Sequence, residues 1–159
     1  MARSHGPFRV IPLLLAACAA PAAPPEPDPI RPEDLASLPA TVTRENAADV
    51  ARKCLQRHAA EATSSWRRVG YRFRPDGVER IVFETFHDGR RDRWSVAALR
   101  YAELPPPRTE TRLDPTRLRR VTDVVAGPWT FSFDDADTAL ALARALELLR
   151  TAASPRARD

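Results

Sequence analysis

The sequence is poor in cysteine, histidine and glycine, which restricts the chemistry that it can support. Of its 159 residues, two are cysteines, three are histidines and five are glycines. A structural zinc site needs four cysteine, histidine or carboxylate ligands, usually in closely spaced pairs, and the sequence has no such pairs. The five scattered glycines provide no loop that would cradle phosphate groups. We therefore predict that the chain holds no metal ion and no cofactor.

Lysine is also nearly missing, since Lys53 is the sole lysine among 25 basic residues. We attribute this bias to the codon usage of a GC-rich genome rather than to selection for phosphate contacts. The formal net charge is +4, but Arg3 and Arg9 lie in a leader segment that contains no acid. Without that leader the balance falls to +2, which does not indicate an acidic partner.

Arginines alternate with aromatic residues in the run Tyr71-Arg72-Phe73-Arg74. In a strand, successive side chains point to opposite faces, so the rings go to the core and the guanidinium groups go to solvent. No shared stacking platform for bases results from this arrangement. We therefore predict no binding of nucleic acid.

The first 17 residues have the three parts of an export signal. Arg3 and Arg9 supply a basic stretch, and an apolar run follows at residues 10–17. This run is too short to cross a bilayer as a helix, which takes about 20 apolar residues. It ends in Leu15-Ala16-Ala17-Cys18, which resembles the lipobox of bacterial lipoproteins, L-[AS]-[GA]-C.

The resemblance implies that residues 1–17 are a signal peptide and that Cys18 is lipidated with diacylglycerol and a further acyl chain such as palmitate. Two or three acyl chains anchor a protein stably where one chain binds only marginally. Ala19 follows in place of Asp, so the inner-membrane retention signal of enteric bacteria is absent. The implied location is the outer membrane, facing the periplasm. Ordinary secretion, with cleavage at Ala17-Cys18-Ala19 and no lipid, is the alternative.

Residues 18–42 form an Ala/Pro-rich linker behind the lipidated cysteine. Proline fixes φ and removes backbone donors, so we predict that this stretch forms no regular element and acts as an extended spacer.

We assign residues 43–153 to a single α+β domain and residues 154–159 to a polar tail. Thr43 is predicted to cap a leading helix. Its apolar stripe at helical spacing consists of Ala47, Val50, Ala51, Cys54, Leu55, His58 and Ala62. Cys54 within this stripe is predicted to be a buried thiol that behaves as a small hydrophobe. The alternative is a reactive Cys54–His58 pair.

Beyond Trp66 the hydrophobic period changes to two, which predicts an antiparallel meander of five or six strands. Turns are indicated at Pro75-Asp76-Gly77 and at Asp88-Gly89, and a proline loop at Pro105-Pro106-Pro107. We place strands near residues 68–74, 78–87, 93–101, 118–125 and 129–133, with a further short strand near 109–113.

A C-terminal helix packed on the sheet is predicted to follow Asp134 or Asp135 as its cap. The strand Trp129-Thr130-Phe131-Ser132-Phe133 and this acid-capped helix, with Leu146 and Leu149 on its apolar face, resemble the close of bacterial PH-like domains. The resemblance implies a PH-like fold for the C-terminal part of the chain.

The sequence shows no catalytic apparatus; for example, it has no G-x-S-x-G motif to expose a serine nucleophile. We expect a non-catalytic adaptor or accessory domain that the lipid holds at the membrane and that binds an envelope protein partner. The alternative is a binding module for an anionic envelope component through an arginine-rich face. That face would consist of Arg67, Arg68, Arg90, Arg91, Arg93, Arg119 and Arg120.

Overall fold

Two helices and six strands make up the domain in a computed structural model that describes residues 23, 25–85, 93–116 and 118–154. A 3-10 helix, Pro32–Leu35, precedes helix α1, and a second short 3-10 helix, Tyr101–Glu103, follows the third strand. The main elements are α1 (Ala47–Ala62), β1 (Arg67–Arg74), β2 (Gly77–Glu84), β3 (Arg93–Arg100), β4 (Arg108–Asp114), β5 (Arg119–Ala126), β6 (Trp129–Phe133) and α2 (Ala136–Ala153). The predicted α+β class, with a leading helix, six antiparallel strands and a C-terminal helix packed on strands, is confirmed. The predicted hairpin at Asp88-Gly89 and the tail from residue 155 lie outside the described residues.

The strands form two three-stranded sheets, in the orders β1-β2-β3 and β4-β5-β6, rather than one continuous meander. Between the two sheets the chain passes through Tyr101–Glu103 and then Pro105-Pro106-Pro107. Proline has no N–H group to donate to a neighbouring strand, so the pairing that would join β3 to β4 is interrupted there.

The core lies between α1, α2 and the inner faces of both sheets. On the first sheet the inner face carries Val69 and Tyr71 of β1 together with Val78 and Val82 of β2, all of them buried. The second sheet contributes mainly Val124, Ala126, Trp129, Phe131 and Phe133, and the two helices contribute Ala47, Val50, Ala51, Cys54, Leu55, Ala59, Ala139, Leu142, Ala145 and Leu146. These aromatics and aliphatics account for the cohesion of the domain.

Helix α1 begins later than predicted, at Ala47 instead of directly after Thr43. The Thr43 backbone N–H donates to Asn46 Oδ1 at 2.8 Å, which closes a turn ahead of the helix. Helix α2 begins as predicted behind Asp135, whose carboxylate accepts from the N–H groups of Asp137 at 3.1 Å and Thr138 at 3.2 Å. The acids at this position therefore satisfy backbone donors of the helix start.

The segment predicted as an extended spacer is attached to the domain over residues 25–36, which we call the strap. Asp28 lies along the free edge of β1: its N–H donates to the Tyr71 carbonyl at 2.8 Å, and its carboxylate accepts from the Phe73 N–H at 2.9 Å. An uncovered edge strand offers unpaired backbone groups to other chains. The strap thus covers the edge of the first sheet.

Further contacts join the strap to α1. Asp34 is 2% exposed and accepts from Arg52 Nε at 3.0 Å, and the Gln56 amide donates to the Asp28 carbonyl at 3.3 Å. Arg57 donates to the carbonyl of Ala36. The spacer prediction failed here because proline content predicts an extended backbone but says nothing about side chains that hold such a backbone in place.

Gly70 is the point at which the strap approaches β1 most closely. A Cβ atom at Gly70 would lie 2.5 Å from Cβ and 2.8 Å from Cγ of Pro27, distances that real Cβ atoms do not tolerate. Only glycine lets the proline ring rest on the strand, so this residue is required by the contact rather than by a turn.

We expect Gly70→Ala to lower the free energy of unfolding by about 1–3 kcal/mol, because the added methyl group overlaps Pro27. Urea denaturation measures the change. In a Pro27→Gly background the same substitution should cost much less, since the ring that it meets is gone. Equal costs in the two backgrounds would show that the strap does not rest on Gly70.

Candidate functional site

The predicted lipidation residue, Cys18, lies outside the described residues, so the lipid anchor remains a prediction. In the part of the chain that the structure describes, no helix is long and apolar enough to span a membrane.

Cys54 is fully buried in the contact between α1 and α2, where its Sγ lies 3.6 Å from the Thr138 carbonyl oxygen. Burial raises the pKa of this thiol to about 12, so the thiolate needed of a nucleophile does not form near neutral pH. The prediction of a buried, structural thiol is confirmed. The alternative Cys54–His58 pair is not favoured, because each of the two side chains is engaged with a different partner.

His58 lies at the centre of an aromatic cluster between the sheets and α1. Its Nδ1 and the Tyr71 hydroxyl oxygen are 2.9 Å apart, and its ring packs edge-on against Phe131 and Phe133, each with a centroid distance of 5.6 Å. Burial lowers the pKa of His58 to about 4, and the charges of Arg80 and Arg67 act in the same direction. The imidazole is therefore neutral at physiological pH.

Arg80 occupies an unusual place, because it stands on the inner face of the central strand of the first sheet. It pairs in register with Tyr71, and its Cζ lies 4.8 Å from the centre of the Trp129 ring in the second sheet. Its Nε atom is buried and has no hydrogen-bond partner. Among the described residues, no carboxylate lies within ion-pair distance of this guanidinium group.

A second arginine points into the same region. Arg67 lies on the inner face of β1, and its Nε is also buried without a hydrogen-bond partner; Glu84 Oε1 lies 4.0 Å away, at the limit of an ion pair. Both arginines act electrostatically on His58 and Tyr71. Two cationic side chains therefore lie near the neutral side chains of His58 and Tyr71, and of these two arginines Arg67 is 41% exposed.

Arg80 was not among the arginines singled out from the sequence, although a signal for it was present. The turn at Pro75-Asp76-Gly77 sets the register of the hairpin, with Arg74 opposite Gly77. Counting outward from that pair places Arg80 opposite Tyr71, a residue predicted to face the core. Register, rather than hydrophobic alternation alone, would have placed a cation on the inner face.

The predicted arginine-rich face is not a single surface over the residues that can be described. Neighbouring arginines within a strand, such as Arg67 and Arg68, point to opposite faces. Arg119 forms an ion pair with Asp134 at 2.6 Å. Arg90 and Arg91 lie outside the described residues.

At the start of α2, the carboxylate of Asp135 caps the helix, as described above. The pKa of Asp135 is lowered chiefly because the Thr138 hydroxyl donates a hydrogen bond to this carboxylate. In the described ranges, histidine, cysteine and carboxylate side chains nowhere gather in a group of three that would hold a metal ion.

No protein-family model, curated protein or solved structure matches this chain. The resemblances to lipoproteins and to PH-like domains therefore remain predictions.

We expect the neutral state of His58 to make stability depend on pH. The unfolded imidazole has a pKa of about 6.5 and the folded one about 4, so the unfolded chain takes up the proton first. The contribution of His58 is complete above pH 6.5 and is lost as the pH falls towards 4.

Between about pH 7.5 and about pH 4.5, the wild type should lose roughly 2 kcal/mol more than His58→Gln. Urea titrations at each pH measure this difference, in which shared carboxylate titrations cancel. Parallel pH profiles for the two proteins would contradict a buried neutral imidazole.

Proposed function

We propose that this chain is a membrane-anchored cell-envelope lipoprotein, lipidated at Cys18, whose domain works as a non-catalytic adaptor for an envelope protein partner. The observation that carries the proposal is the motif Leu15-Ala16-Ala17-Cys18, placed only a few residues ahead of the strap. Because the strap is attached to β1 and α1, an anchor at Cys18 would hold the folded domain directly.

The state of the reactive side chains supports binding rather than catalysis. The Cys54 thiol is buried, and its raised pKa keeps it protonated. The lowered pKa of His58 makes its imidazole a weak base, and its Nδ1 is engaged with Tyr71. Neither group is prepared for nucleophilic or general-base chemistry near neutral pH.

Labelled palmitate fed to cells should enter the wild-type protein and not Cys18→Ala, because the proposed acyl acceptor is the Cys18 thiol. Cys54→Ala is the matched control and should keep the label, since this second cysteine is buried. In the same cells, crosslinking should recover one specific envelope protein with the wild type but not with Cys18→Ala. Equal labelling of the wild type and Cys18→Ala, or labelling of neither, would refute the anchor.

A second function, recognition of an anionic group, is favoured by the unpartnered buried Nε atoms of Arg80 and Arg67. Contact with the Trp129 ring holds the planar guanidinium group of Arg80 in one orientation. This candidate replaces a broad arginine surface with a defined position between the two sheets. A carboxylate is the anion favoured here, because it is planar and matches the fork of a guanidinium group in a bidentate pair.

Citrate added at constant ionic strength should shift the NMR signal of the Arg80 Nε–H group in a saturable manner. In Arg80→Lys, citrate should no longer shift the NMR signals of the groups that neighbour residue 80 in a saturable manner. Lysine keeps the positive charge but lacks the planar fork of donors. Arg68→Lys is the matched control, since Arg68 also stacks on a ring, Phe83, but on the opposite face of the sheet. A linear response, or one that Arg80→Lys retains, would exclude specific recognition.

A further inference from the structure

The outer face of the first sheet, opposite the core, exposes large apolar side chains in one patch. Trp66 is 50% exposed, Trp94 43% and Val96 39%. Phe83 pairs in register with Trp94, and Ile81 with Val96, so these side chains lie side by side. We call Trp66, Phe83, Trp94 and Val96 the apolar patch; Ile81, which lies on the same face, is fully buried and forms its base. Tryptophan and tyrosine are enriched where proteins meet the boundary between lipid and water.

Arginines border the apolar patch on the same face. Arg68 stacks on Phe83, with its Cζ 4.6 Å from the ring centre. Arg72, Arg74 and Arg100 follow along the same side of β1 and β3; they pair with Glu79 and Asp76, and Glu26 of the strap lies near Arg68. Among the described residues of this face, these four arginines outnumber the three acids, which favours an anionic surface over a cationic one.

The strap leaves the domain at this same face. Pro27 rests on Gly70, and Gly70 lies in register with Ile81, which lies in register with Val96. Adjacent strands are about 4.8 Å apart, so Pro27 is about 10 Å from the row that holds Val96. The point of attachment and the apolar patch are therefore neighbours.

The length of chain between Cys18 and Pro27 limits how the domain can be turned. Nine residues span at most about 30 Å when fully extended. A domain of about 110 residues has a radius of gyration near 13 Å, which corresponds to a width of about 35 Å. A segment of about 30 Å cannot run from Pro27 around such a body to its far side. The far side of the domain therefore cannot turn towards the anchor, and either the face that carries Pro27 or the adjoining edge of β1 does so.

We propose that the outer face of the first sheet lies on the surface of the phospholipid bilayer, with Trp66 and Trp94 at the level of the headgroups. This inference rests on the proposed lipid anchor. Burial of the apolar patch in the interface and attraction of the bordering arginines to anionic headgroups stabilise the contact. The domain then presents its second sheet and α2 away from the membrane.

Tryptophan fluorescence in vesicles tests this orientation. The acylated protein, purified from membranes and verified by mass, is placed in vesicles of phosphatidylglycerol and phosphatidylethanolamine that contain brominated lipids. Bromine quenches only tryptophans that reach the interface. We expect quenching in the wild type and its loss in the double variant Trp66→Phe/Trp94→Phe. Trp129, which is 3% exposed in the core, provides the unquenched reference.

Two outcomes would overturn the inference. In the first, brominated lipid leaves the tryptophan fluorescence of the anchored protein unchanged. In the second, a crosslinker at residue 94 couples to a protein instead of to lipid. If mass spectrometry finds no acyl chain, the proposed function fails by itself. The chain from Cys18 to Asp159, produced without residues 1–17, is then coupled to a maleimide lipid through its Cys18 thiol, since Cys54 is buried. Quenching or its absence in this protein still decides the orientation.

Discussion

Asp28 makes two hydrogen bonds to the edge of β1, one through its backbone and one through its carboxylate, and the position of the N-terminal segment depends on them. Without this pairing, the outermost strand of the first sheet would expose its carbonyl and amide groups, as edge strands do. The ion pair between Asp34 and Arg52 then fixes the next part of the strap on α1. Because Asp34 is buried, removal of either partner would leave a charge without compensation, which is costly. The strap is thus part of the folded unit.

The inner face of the first sheet combines features that a purely apolar core would avoid. Burying a cation is costly unless something replaces its lost water, and for Arg80 the replacement is the face of the Trp129 ring. The nearby imidazole of His58 responds by remaining neutral, which spares the site a second buried charge.

Much of the fold could be predicted from the sequence because the helices, strands and turns depend on residues that are close together in the chain. Alternation between Val69 and Phe73, the turn before Gly77 and the acidic cap at Asp135 each depend on a few neighbouring residues. The contacts that could not be predicted join residues distant in the chain: Asp28 with Phe73, Pro27 with Gly70 and Arg80 with Trp129. The division of the strands into two sheets could not be predicted either, because it depends on which strands pair, and such pairing joins residues distant in the chain. The Cys18 motif, by contrast, is local, because four consecutive residues define it.

Attachment of the strap changes the space that an anchored domain explores. A free linker from residue 18 to residue 42 would reach about 80 Å, whereas the segment from Cys18 to Pro27 reaches about 30 Å. For a domain anchored at Cys18 as proposed, the accessible volume would fall with the cube of this reach, by about twentyfold, and its effective concentration near the bilayer would rise by the same factor. A weak partner confined to the same thin layer would then be bound far more completely than its affinity in dilute solution suggests.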